Sequence, residues 1–118
     1  MNQACAVARN RRLARRKQAK DGVEVTCQKG SWGLGINLAV TVLDVSEAGI
    51  RLILNSALDR GQEFTIALHA PGRVRPFKTL ANVVWCIETA DGNYCVGASF
   101  QRRLAYVDLM VLVTATPA

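Results

Sequence analysis

Two groups of side chains have the types and spacing to do recognition chemistry. The first is Arg11-Arg12-Leu13-Ala14-Arg15-Arg16, which contains R-x-x-x-R twice, as Arg11/Arg15 and as Arg12/Arg16. A guanidinium presents a planar fork of N–H donors that matches two acceptor oxygens at once, so it can grip phosphate; lysine supplies only the point charge. The second is Asp44-Val45-Ser46-Glu47-Ala48-Gly49, which reads D-x-S-x-x-G. Its carboxylate accepts from N–H donors and its hydroxyl can donate or accept. Its glycine lets the backbone approach another group closely or take a positive φ. Each group alone has a plain structural explanation. Arginine clusters are common on solvated surfaces, and Asp and Ser ahead of a glycine make an ordinary turn.

Other chemistries find little support. The single histidine, His69, sits on the outward edge of a strand-like run, with no nucleophile–base pair around it. The four cysteines, Cys5, Cys27, Cys86 and Cys95, form no C-x-x-C pair, so no metal site is expected. Cys27, Cys86 and Cys95 lie in apolar runs and read as small buried hydrophobes in a reducing compartment rather than as a disulfide framework. An enzyme is not expected.

Charge is divided unevenly. Residues 1–20 hold seven Lys plus Arg and no acid, whereas the rest of the chain holds eight against nine Asp plus Glu, a net of −1. The protein therefore reads as a near-neutral domain with a cationic arm that attracts phosphate. No apolar h-region follows the positive residues, and no stretch approaches the roughly 20 apolar residues of a membrane span. The expectation is a cytoplasmic chain with no membrane partner. With 118 residues, half of them apolar, it has room for one folded domain.

The elements that must position these groups are strands. Val23, Val25 and Cys27 alternate with Glu24 and Thr26; Ile36, Leu38, Val40 and Val42 alternate with Asn37, Ala39 and Thr41. Phe64, Ile66 and Leu68 form a similar face, as do Tyr94, Val96, Ala98 and Phe100. Period-2 alternation marks half-buried strands. Turn residues separate the runs, among them Asp91-Gly92, a strong hairpin signal. The predicted strands are 23–29, 35–43, 49–55, 63–69, 76–88 and 94–100. Six short strands with tight turns argue for an all-β, six-stranded antiparallel split barrel. Residues 1–22 are expected to form a flexible basic arm and 23–118 the barrel. The apolar spacing over 104–113 favours a short C-terminal helix over a last strand. Trp32, in the glycine-rich loop 30–35, reads as a stacking platform or a lid over the barrel end, the lid being favoured.

The R-x-x-x-R cluster followed by D-x-S-x-x-G, ahead of this all-β pattern, resembles the PilZ family. The late strand Tyr94-Cys95-Val96-Gly97-Ala98-Ser99-Phe100, with its G-x-x-F, and the preceding Val83-Val84-Trp85 carry the resemblance further, to about residues 9–113. The resemblance implies a barrel that binds the bacterial second messenger cyclic di-GMP, with no other cofactor. Arg11 or Arg12 and Arg15 or Arg16 would hold phosphate and guanine, and Asp44, Ser46 and Gly49 would line a guanine pocket. The chemistry suits that ligand. An arginine fork can bridge guanine O6 and N7, and Asp44 can accept from N1–H and N2–H. In the family the arginines lead almost directly into the first strand. Here residues 17–22 intervene, which leaves the arginine register open. The doubled motif points towards a stacked pair of ligands.

Two other readings differ in class. A small barrel with a basic arm also suits single-stranded nucleic acid, but the barrel carries −1. Several of the aromatics Trp32, Phe64, Phe77, Trp85, Tyr94, Phe100 and Tyr106 lie where core packing is the default. A ligand-free PilZ-like interaction module is the other alternative; the intact motifs argue against it. Output would pass through an effector protein or self-association.

Overall fold

The computed structural model describes residues 17–30, 32 and 34–113. Seven strands run in the order β1 (Lys17–Gln18), β2 (Glu24–Lys29), β3 (Ala39–Val45), β4 (Gly49–Leu54), β5 (Glu63–His69), β6 (Phe77–Glu88) and β7 (Tyr94–Phe100), followed by α1 (Tyr106–Leu112). All pairings are antiparallel, in the spatial order β1-β3-β4-β7-β6-β5-β2. The six longer strands wrap into a nearly closed barrel with one unsealed seam, between β2 and β3.

Alternation builds the core. Ile50, Leu52 and Leu54 of β4, Phe64, Ile66 and Leu68 of β5, and Val96, Ala98 and Phe100 of β7 all point inward and are buried. Burying an aliphatic or aromatic side chain of this size contributes about 1.5–3 kcal/mol relative to exposure. The helix closes one end. Leu109 and Leu112 are buried while Tyr106 and Val107 face outward. Seven residues are too few for a helix to stand alone, so packing on the barrel holds it. The Asp91-Gly92 hairpin joins β6 to β7 as expected. Gly92 takes φ 87°, and Asp91 accepts from the Thr89 hydroxyl and the Asn93 N–H. These two bonds, the hydroxyl foremost, hold the Asp91 carboxyl below its ordinary pKa.

Three expectations need correction. The strand read over 35–43 begins only at Ala39 and continues to Val45. Before it, the Asn37 side chain replaces a backbone ladder: its Oδ1 accepts from Cys27 N–H at 2.8 Å and Ala39 N–H at 3.0 Å. Within β3, register shifts between Ala39 and Thr41 and between Val42 and Asp44 reset which residues face inward. Val40 is therefore exposed and Val45 fully buried; Ile36, which precedes the strand, is exposed as well. Second, residues assigned to the arm lie on the barrel: Lys17 pairs with Val45, Gln18 with Asp44, and Ala19 bridges to Val113. Third, Trp32 is 83% exposed and covers nothing.

Of the three cysteines expected to be buried, one is. Cys27 is fully buried, Cys86 and Cys95 are half-buried, and all three are free thiols; Cys5 lies outside the described residues. Burial pushes the Cys27 thiol up to about 12. No group of His, Cys, Asp or Glu among the described residues could hold a metal ion. No helix among them is long and apolar enough to cross a membrane.

Candidate functional site

The turn between β3 and β4 is built by its own side chains. Ser46 is buried, and its Oγ accepts from the N–H groups of Ala48 at 3.2 Å and Gly49 at 3.1 Å. The Ser46 N–H donates to the Gly49 carbonyl at 2.9 Å. Gly49 is required for close approach: a Cβ there would lie 2.4 Å from the Ala98 carbonyl oxygen on β7. The approach is to the neighbouring strand, and the φ of Gly49 is not positive. Outer contacts hold the turn in place. Phe100 N–H donates to Ala48 O and Leu104 N–H to Glu47 O, both at 2.8 Å.

Asp44 sits just past the second register shift of β3, its side chain 12% exposed. Arg51, 41% exposed, faces outward because Ile50 and Leu52 face the core. Its Nε and Nη2 both donate to Asp44 Oδ2, at 2.9 and 2.5 Å. Strand register extends this pair into a row. Gln18 of β1 lies opposite Asp44, Asp44 opposite Arg51, Arg51 opposite Gly97 of β7, and Gly97 opposite Trp85 of β6. A Cβ on Gly97 would lie 2.3 Å from Trp85 Cε2, so the indole rests on bare backbone. Four strands, with β1 alongside, thus present on one outer face a carboxylate, a guanidinium, a glycine floor and an indole.

Of the expected site residues, Asp44, Ser46 and Gly49 are brought together at this turn. Arg11, Arg12, Arg15 and Arg16 lie outside the described residues. The described chain begins at Lys17, which pairs with Val45. Sequence reasoning missed Arg51 and left Trp85 with the core aromatics. Arg51 had a signal, as a charged residue between Ile50 and Leu52. Trp85 faces outward because a bulge at Val84 shifts the register between Val83 and Trp85, and nothing local marks that bulge.

The PilZ domain profile matches residues 10–112. The chain belongs to the PilZ domain family. The match spans both motifs and runs to the end of α1. Comparison with curated proteins and with solved structures finds no match. PilZ domains are, as a family, receptors for cyclic di-GMP and are typically non-catalytic.

Proposed function

We propose that this PilZ domain binds cyclic di-GMP between its arginine segment and the outer-face row Asp44, Arg51, Gly97 and Trp85. One observation carries the reading. The pairing of Lys17 with Val45 and Gln18 with Asp44 anchors the chain directly after Arg16 beside the D-x-S-x-x-G turn. The residues between the arginines and β2, an apparent departure from the family pattern, supply that anchor.

The roles follow from chemistry. Arginines of the 11–16 segment take the ligand phosphates and the O6/N7 edge of guanine. Arg51 spends two of its five N–H donors on Asp44 and keeps others for the ligand. Asp44 would accept from guanine N–H groups, and the Trp85 indole would supply a face for stacking. Ser46 and Gly49 act by shaping the turn. Signalling output passes through a change at the arm and then through a partner or self-association.

The test is a titration of the double variant Arg12→Ala/Arg16→Ala. Binding is expected to fall below detection, and Arg→Lys at both sites to restore only part of it, because lysine lacks the fork. Undiminished binding by the alanine variant would refute the role of the arm.

A further inference from the structure

The tail of the arm touches the barrel end at two places. At the C-terminal end of α1, Ala19 bridges Val113 and Lys20 N–H donates to the Leu112 carbonyl at 2.9 Å. Gly22 lies against loop 70–76, where a Cβ would come within 3.0 Å of Pro71 Cγ. Beside these contacts lies a cleft lined by Leu68 and Phe77, by Arg73 and Arg75 of the loop, and by Asp108 and Val111 of α1. Its cavity volume is about 20 Å³, room for about one water, so no small ligand enters. The feature is the surface around it. Val74 is 93% exposed, Tyr106 61% and Val107 70%. Val107 stands one turn before Val111 and so shares its face of α1. Loop 70–76 carries two arginines and no acid. The acid facing it, Asp108 of α1, stands 4.0 Å from Arg73 with both side chains well exposed, a contact of little energetic weight.

We propose that this surface docks an acidic, amphipathic segment of a partner protein. Its carboxylates would pair with Arg73 and Arg75, and its apolar side chains would pack on Val74, Tyr106 and Val107. Arginine forks select carboxylate or phosphate. The three exposed apolar side chains favour a peptide, since a nucleic-acid backbone gives them nothing to bury against. Because residues 19–22 contact both the end of α1 and the loop at Pro71, the position of the arm would govern the spacing between them. That coupling rests on the cyclic di-GMP reading; the docking surface does not.

The experiment uses the full chain, isotope-labelled, titrated with a short synthetic peptide in which glutamates alternate with leucines, and with its lysine-for-glutamate counterpart. The acidic peptide is expected to shift the amide signals of Arg73, Val74, Arg75, Tyr106 and Val107, and the lysine peptide to leave them unmoved. Arg73→Glu/Arg75→Glu should weaken the acidic peptide by about tenfold or more while leaving cyclic di-GMP affinity unchanged. Saturating cyclic di-GMP should change the peptide affinity by about threefold or more. Perturbation confined to residues 1–16, or equal binding by the charge-reversed variant, would overturn the docking surface. Self-association abolished by the same variant would assign the surface to a second copy and overturn the acidic segment. An unchanged peptide affinity, in a chain that binds cyclic di-GMP, would overturn the coupling. A chain that does not bind the dinucleotide would overturn the functional reading and leave the peptide result to decide docking.

Discussion

Gly97 and Gly49 make room for different neighbours in the same site. At Gly97 the missing side chain makes room for a neighbour's ring, and at Gly49 for a neighbour's backbone. Alanine at Gly97 should push the Trp85 indole off its floor, at a cost of about 1–3 kcal/mol. The shift is readable as a change in Trp85 fluorescence in a Trp32→Phe background. Alanine at Gly49 should cost more, because the Ala98 carbonyl cannot swing aside as a side chain can; urea unfolding of the two variants ranks them. The reverse order would mean that the indole, not the strand spacing, is the tighter constraint. At this scale the sequence was partly legible. Asp44, Ser46 and Gly49 could be found from residue type and spacing because they belong to one local turn. The partnership of Asp44 with Arg51, and the outward face of Trp85, depend on pairing between strands, which no local pattern carries.

Among the elements, the seam between β2 and β3 is where side chains stand in for a strand ladder, Gln28 Nε2 donating to the Gly35 carbonyl at 2.9 Å and Asn37 doing more. Asn37 Oδ1 serves the N–H groups of both Cys27 and Ala39, and Leu38 N–H adds one backbone bond to Cys27 O at 2.8 Å. Asn37→Ala should therefore cost about 1–3 kcal/mol and speed amide exchange at Cys27 and Ala39. Asn37→Asp keeps the acceptor and should preserve most of the protection. Equal exchange in wild type and Asn37→Ala would show that the seam is closed by other means. Cys27 beside the seam adds a pH signature. Its thiol titrates at about 12 when folded against an ordinary 9.0, because burial disfavours the thiolate. The folded state holds the proton longer, so this contribution is fully present below about pH 9 and is lost as pH rises towards about 12. Wild-type stability should fall more steeply over that window than that of Cys27→Val; parallel curves would contradict a buried neutral thiol. The strands with clean alternation, β2, β5 and β7, were legible almost to the residue. The start of β3 was not, because Asn37 interrupts a run whose apolar residues still alternate. β1 is two residues long and has no period to read.

As a whole, the molecule sets a cationic segment against a near-neutral barrel: residues 1–20 carry seven Lys plus Arg and no acid, and the remainder nets −1. Charge alone would attract any polyanion, and salt should weaken all of them together. What distinguishes a receptor for cyclic di-GMP from a basic tail is discrimination between bases on a shared phosphate frame. The fold matters here because it places Asp44, Arg51 and Trp85 on one face, next to the strand that follows the arginines. The direct test is a calorimetric competition between cyclic di-GMP and cyclic di-AMP on the full chain at one salt concentration, repeated with Asp44→Ala. Adenine puts an amino donor where guanine has O6 and lacks the N–H groups that Asp44 can accept. Each mispaired contact costs about 1–3 kcal/mol, so a preference for guanine on the order of 100-fold or more is expected. In the Asp44→Ala variant that preference should shrink more than the overall affinity does. Equal affinity for the two dinucleotides in the wild-type chain would contradict the account.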